Sequence, residues 1–281
     1  MNMDEHATIA EQMVISMSHL LEQAELVQLG LMSPLAQVAA LLSAHRRGDA
    51  GPAVEDPSAF TVSWAPRSAA LTCSDIAAQQ GSVRRFEADD WVARIMGNLT
   101  GRMRQFIRAA QIDITGGINT LYLPGRDGKR RRIAGLAGLA ELADIARPFL
   151  VYLPRQDERT FVQRVEFEVC NPLGSHDGSE RQIILVSDLA VFRITGQGPE
   201  ILSLHPSTDP GEFAARTPFA VDPQTAPQTP LPEPADLELL RKVVDPLNIR
   251  DIEFASGAAR SALLDRLIEQ EPGFVGMAGG L

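Results

Sequence analysis

The sequence predicts an α/β fold, a mainly parallel sheet flanked by helices. Three observations predict it. Apolar runs of strand length alternate with amphipathic, capped helical segments along much of the chain. Several of those runs are apolar at consecutive positions, as strands covered on both faces are. The 281 residues are 44% hydrophobic and 22% charged, which suits a soluble protein with a sizeable packed core.

The elements follow in order. Residues from about Ala7 to Gln23 read as a helix, because Ile9, Met13, Met17, Leu20 and Leu21 recur at three- and four-residue spacing. The run AELVQLGLM suits a buried strand ending at Gly30. Ser33 as N-cap and Pro34 at the first helical position then open the helix SPLAQVAALLSAHRR. The stretch HRRGDAGPAVEDPS reads as a loop because Gly48, Gly51, Pro52 and Pro57 interrupt it, and AFTVSW reads as the strand that follows. DDWVARIMGNL is a predicted helix and RQFIRAAQI a predicted strand. They lead to a Gly-rich turn from Asp113 to Gly117, the short run NTLYL and a basic loop. IAGLAGLAELADIA is helical, PFLVYL and TFVQRVEFEV are strands, and RQIILVSDLAVFRI holds two strands that turn near Asp188. EILSLHP is a strand ending at His205-Pro206, and DPGEFAAR and DLELLRKVV are helices. A Pro-rich connection spans Ala220 to Pro234. The domain organisation read from this pattern is one domain over residues 1–255 with an appended tail over 256–281.

Composition excludes several function classes. The net charge of −10 disfavours nucleic acid and anionic membranes as partners, since both reward a cationic surface. The run RDGKRRR from Arg126 to Arg132 stands against that background, either as a solvated loop or as a site for phosphate groups. Cys73 and Cys170 form no CxxC and no zinc-spaced set, so no metal is expected and a reducing cytoplasm is the natural setting. MNMDEHATIAEQ lacks the pattern of a signal peptide, and no apolar run reaches the roughly 18–20 residues that span a bilayer. No G-x-S-x-G elbow, Walker pattern or dinucleotide fingerprint stands in the right context.

Two segments carry more specific chemistry. In AAQIDITGGINT, Gln111 and Asp113 lie two apart at a strand end and so share a side. Gly116 and Gly117 permit a tight turn or a close approach of ligand, and Asn119 brings an amide to the same place. An Asx-type turn that satisfies only local backbone is the alternative reading. The second segment, VSDLAVFRITGQGPEILSLHPSTDPGEFAARTPF, holds Asp188 and His205, both expected to be structural.

Together with the closing DLELLRKVVDPLNIRD, these segments resemble the β subunits of glutaconate-type, class I coenzyme A transferases, over about Gly30 to Asp251. The resemblance implies the coenzyme A transferase fold and a hetero-oligomer with an α-type subunit. It also implies an acyl-CoA as substrate and no permanently bound cofactor, coenzyme A entering as part of the substrate. The family's Gly-rich stretch corresponds to Gly135-Leu136-Ala137-Gly138-Leu139, where backbone N–H groups would meet a ligand.

The family's nucleophile is a glutamate at a strand end, and two registers are open. In one it is Glu55. In the other AFTVSW is the strand, and the position falls around Ser63, Trp64 or Ala65, where no carboxylate stands; Glu55 would then sit in a loop. With the glutamate, the reaction is transfer of CoA between carboxylic acids. Without it, the resemblance extends to two-subunit enzymes that open a cyclic β-ketoacyl-CoA with water. A subunit that only shapes the site of its partner is a third reading.

Overall fold

The computed structural model describes residues 7–48, 53–56, 61–63, 69–71, 82, 84–91, 93, 101–125, 127–133, 135, 138–174 and 180–270. The chain forms two compact units, Met1–Trp91 with Pro232–Leu281, and Val92–Leu231. Cys73, Trp64, Ala65 and most of the expected helix DDWVARIMGNL lie outside the described residues.

In the first unit, helix α1 (Ile9–Leu20) starts at a capping box. Thr8 Oγ1 accepts the Glu11 amide at 3.2 Å, and Glu11 Oε2 accepts the Thr8 amide at 2.9 Å. Met13, Met17 and Leu21, each fully buried, form its core face. Strand β1 (Leu26–Gln28) follows, then α2 (Pro34–Arg47), which packs on α1. Ser33 does occupy the N-cap of α2, but its side chain makes no capping bond. Glu253 Oε2 instead accepts the Leu35 amide at 2.9 Å.

Strand β2 (Ala53–Asp56) corrects the expected loop. It pairs in parallel with β1 and antiparallel with β3 (Thr61–Ser63), which pairs with β4 (Arg84–Arg85), in the order β4-β3-β2-β1. Pro52 and Pro57 flank β2 rather than interrupt it, so no ladder N–H is lost inside the strand. Pairing on both sides and burial of Val54 outweigh the weak local propensity of AVED.

In the second unit the expected strand RQFIRAAQI is divided. After β5 (Met103–Arg104) comes β6 (Phe106–Arg108), and then β7 (Gln111–Asp113) in a different sheet. β7 pairs antiparallel with β8 (Ile118–Asn119). The basic run folds as a hairpin rather than a loop, β9 (Tyr122–Pro124) against β10 (Arg130–Arg132). Helix α3 (Leu139–Ile145) is seven residues long, shorter than IAGLAGLAELADIA promised.

Strand β11 (Phe149–Leu153) is buried along its whole length. The predicted strand TFVQRVEFEV contracts to β12 (Phe161–Val162), which pairs in parallel with β7. The backbone beyond it bends away because the Val165 and Glu166 amides donate to Asp113 and Gln111. β13 (Ile183–Ser187), β14 (Ala190–Thr195) and β15 (Gly198–Leu204) complete a sheet in the order β15-β14-β13-β11-β6. Its strands β6, β11 and β13 are parallel, and the β13–β14–β15 meander adds an antiparallel edge, turning at Asp188 as expected. Helix α4 (Pro210–Arg216) lays Phe213 on Phe192, with ring centroids 6.1 Å apart.

The chain then returns to the first unit with α5 (Pro234–Leu239), continued by a π-helical turn Leu240–Val244 and a 3-10 turn Ile249–Glu253. Here lies a buried ion network. Arg250 bridges Asp245 Oδ2 and Glu11 Oε1, both at 2.9 Å, while Arg241 Nε meets Glu11 Oε1 at 2.7 Å. Burial alone would raise the Glu11 carboxyl. The Arg241 hydrogen bond, the Thr8 amide and the charges of Arg250 and Arg241 together bring it below its ordinary range. The segment from residue 256, expected as an appended tail, holds α6 (Gly257–Gln270), whose Leu267 is buried.

Candidate active site

Ligands of open α/β sheets bind outside the carboxyl ends of parallel strands. In the first unit that place is the end of β1 and β2. Glu55 stands there on β2, in register with Gln28 on β1 and with Val62 on β3. This corrects the reading of Glu55 as a loop residue. β3 runs antiparallel, and Ser63 stands opposite Val54, toward the amino end of β2. A nucleophile near Ser63 would therefore leave its strand at the edge opposite to the parallel carboxyl ends. Of the two positions, the backbone sets Glu55 at the carboxyl end of β2 and Ser63 beside its amino end. Gln28 is a neighbour the sequence reading passed over. A polar residue inside the apolar run AELVQLGLM, buried in the fold, was the available signal.

In the second unit Gln111, Asp113 and Asn119 come together as the spacing predicted, and all three are buried. Their polar atoms meet this chain. Asp113 Oδ1 accepts the Thr115 amide at 2.9 Å, the Thr115 hydroxyl at 2.8 Å and the Gly117 amide at 2.9 Å, and Oδ2 accepts the Val165 amide at 3.1 Å. Gln111 Oε1 accepts Asn119 Nδ2 at 2.8 Å and the Glu166 amide at 3.1 Å, while its Nε2 donates to the Arg159 carbonyl at 3.2 Å. Asn119 Oδ1 accepts the Leu121 and Tyr122 amides, and Nδ2 also donates to the Tyr122 carbonyl at 2.6 Å. The geometry is that of an Asx turn widened into a network that joins β7, β8, the start of β9 and the segment after β12.

The glycines serve that turn. Gly116 has φ 86°, and a Cβ on Gly117 would come within 2.7 Å of Asp113 Oδ2 and 2.8 Å of Glu168 Oε2. Gly135 packs on Thr120, whose hydroxyl donates to the Gly135 carbonyl. Gly138 is the N-cap of α3.

A second polar cluster lies at the carboxyl ends of β11 and β13. Gln156, fully buried, accepts from Ser187 Oγ at 2.7 Å and donates to Thr217 Oγ1 at 2.8 Å; its amide donates to Asp188 Oδ1 at 2.7 Å. Arg216 pairs with Asp188. Burial raises the Asp188 carboxyl, with the Gln156 amide and Arg216 opposing that rise. His205 Nε2 donates to the Ser187 carbonyl at 2.8 Å, so Nδ1 is the acceptor, facing Thr229 Oγ1 at 3.2 Å. Burial pushes its pKa down to about 4, against the opposing Ser187 bond, and the ring is neutral near pH 7. Asp188 and His205, which the sequence reading expected to be structural, both meet partners within this chain; Gln156 gave no local signal, because its partners lie 31 and 61 residues away.

Burial, then the charges of Glu168 and Asp144, push the Cys170 thiol up to about 12, which leaves it protonated and unreactive. Among the described residues no group of three or more His, Cys, Asp or Glu is placed to hold a metal ion, and no helix is long and apolar enough to cross a membrane.

No family model matches the chain. Over 75 residues it is 41% identical to the cholesterol ring-cleaving hydrolase IpdB subunit of Mycobacterium bovis and of Mycobacterium tuberculosis, a stretch covering 26% of this chain and 30% of those proteins. Three solved structures are similar over most of the chain. The decarboxylase AibA/AibB gives a TM-score of 0.74 at 24% identity, covering 87% of this chain and 97% of that one. Rhodococcus jostii RHA1 IpdAB gives 0.73 at 21%, covering 89% and 99%. Glutaconate coenzyme A-transferase from Acidaminococcus fermentans gives 0.72 at 18%, covering 85% and 95%. The strand order, the helix between β1 and β2 and these superpositions agree that the chain has the coenzyme A transferase fold.

Proposed function

We propose that the chain is the β-type subunit of a hetero-oligomeric enzyme that acts on an acyl-CoA, and that Glu55 is the nucleophile that carries CoA between carboxylic acids. The observation that carries this reading is the register of Glu55 at the carboxyl end of β2, beside Gln28 on the parallel neighbour β1. The Glu55 carboxylate attacks the thioester carbonyl and the CoA thiolate leaves, giving a mixed anhydride. The thiolate then attacks the glutamyl carbonyl, which releases the first acid and leaves a glutamyl-CoA thioester. The second acid's carboxylate attacks that thioester, and the returning thiolate takes its acyl group and frees Glu55. Coenzyme A is substrate throughout, and an α-type subunit completes the site. Gln111, Asp113, Gly116, Gly117 and Asn119 act in this scheme by shaping the backbone of the β7–β8 turn.

A second reading has its own support in the 41% identity with a ring-cleaving hydrolase subunit. There, water activated by a partner carboxylate attacks the acyl-CoA, and Glu55 is not modified. One experiment separates the two. The chain and its α-type partner are mixed with acyl-CoA and borohydride, and the peptides are mapped by mass spectrometry. The transfer reading requires a reduced adduct on Glu55, ping-pong kinetics and loss of turnover in Glu55→Ala. Turnover with no adduct, retained in Glu55→Ala, assigns hydrolysis. Full turnover by this chain alone would end the two-subunit proposal.

A further inference from the structure

Neither reading uses the β9–β10 hairpin, which carries most of the basic run. Lys129, Arg130, Arg131 and Arg132 are all exposed, and among the described residues none of them forms an ion pair with a carboxylate. This happens in a chain of net charge −10, where acceptors are plentiful. Strand alternation sorts the hairpin into two faces. Register places Arg132 opposite Tyr122 and Arg130 opposite Pro124, so both guanidiniums share a face with the Tyr122 ring, while Arg131 and Leu123 take the other. Two positions along a strand separate the arginines by about 7 Å. Phe167 packs edge-on against Tyr122, with centroids 5.3 Å apart, and remains 37% exposed.

The root of this face is not free to drift. Asn119 binds the Tyr122 amide and carbonyl, and Gln111 Oε1 holds both Asn119 and the Glu166 amide, the residue before Phe167. The buried network thus fixes an aromatic pair beside two guanidiniums that have no carboxylate partner among the described residues.

We infer that this face binds the nucleotide end of the acyl-CoA, with Arg130 and Arg132 on its phosphates and the Tyr122–Phe167 pair against its base. The inference rests on the acyl-CoA reading of the fold. Guanidiniums match phosphate oxygens in pairs, and an exposed ring offers a face for a purine.

The test is calorimetric titration of the co-purified chain and α-type partner with coenzyme A and with adenosine 3′,5′-bisphosphate. Arg130→Gln combined with Arg132→Gln is expected to raise Kd for both at least about tenfold, or 1.4 kcal/mol. Arg131→Gln, which removes one cation of the same kind from the opposite face, is expected to change it less than about threefold, and Arg130→Gln or Arg132→Gln alone to change it more than Arg131→Gln does. Equal effects from the three single substitutions, or no effect from the combined one, overturn the inference while wild-type CoA binding preserves the acyl-CoA reading. A change of oligomeric mass with unchanged Kd assigns the hairpin to protein contact and overturns it as well. Wild-type protein that binds no CoA overturns both.

Discussion

Asn119 and Gln111 face each other across the β7–β8 pair, and the Asn119 amide donates to the Gln111 carbonyl oxygen at 2.8 Å. Through this one bond the turn, the hairpin root and the segment after β12 share a single anchor. Asn119→Ala strands the Leu121 and Tyr122 amides and removes a donor from Gln111. It should cost about 2–4 kcal/mol of unfolding free energy in urea titration. The same variant should weaken CoA binding, because Tyr122 loses its seat.

Asp113 separates scaffold from ligand contact. Its two oxygens accept four donors from this chain. Asp113→Ala should lower the melting temperature by several degrees, at a cost of about 2–4 kcal/mol. An unchanged melting temperature with a tenfold loss of turnover would instead mark Asp113 as a ligand contact.

His205 makes stability depend on pH. Its pKa lies at about 4 in the fold, against 6.5 as the ordinary value. Between those values the unfolded chain binds the extra proton, so stability falls as pH drops from 6.5 toward 4 and levels off below. The loss from this residue is about 3 kcal/mol at most. Urea midpoints at pH 7.5 and 4.5 measure it, and His205→Gln should narrow the gap between them.

Glu11 answers two arginines and a helix cap at once. Glu11→Ala leaves Arg250, itself buried, with Asp245 as its ion-pair partner among the described residues. The expected loss is about 3–5 kcal/mol, read as a shift in denaturation midpoint.

Much of this was legible in the sequence. The first helix, the helix after β1, the Asp188 turn and the strand that ends before His205 each follow from spacing and residue type within a dozen positions. AVED was not legible as a strand, because Gly51, Pro52 and Pro57 around it signal a loop and its pairing partners are supplied by β1 and β3. The cluster Gln111, Asp113 and Asn119 was visible as a cluster. What each atom binds was not, since Arg159, Val165 and Glu166 stand 48, 52 and 55 residues away from their partners. The capping of α2 was equally hidden: Ser33 occupies the expected place, and the bond is made by Glu253.

That last bond spans 218 residues, and it sits in a unit whose two segments are divided by 140 residues of another. On a ribosome making about 5–20 residues per second, the start of α2 is made about ten seconds or more before the unit between the segments is even finished. During that interval the Leu35 amide has only water, and Glu11 has none of its arginines. The continuous unit is free to fold first, and the discontinuous one closes last. Any stop codon before Glu253 therefore releases a chain whose first helices are made but never sealed, and quality-control proteases should clear it far faster than its missing length alone would suggest.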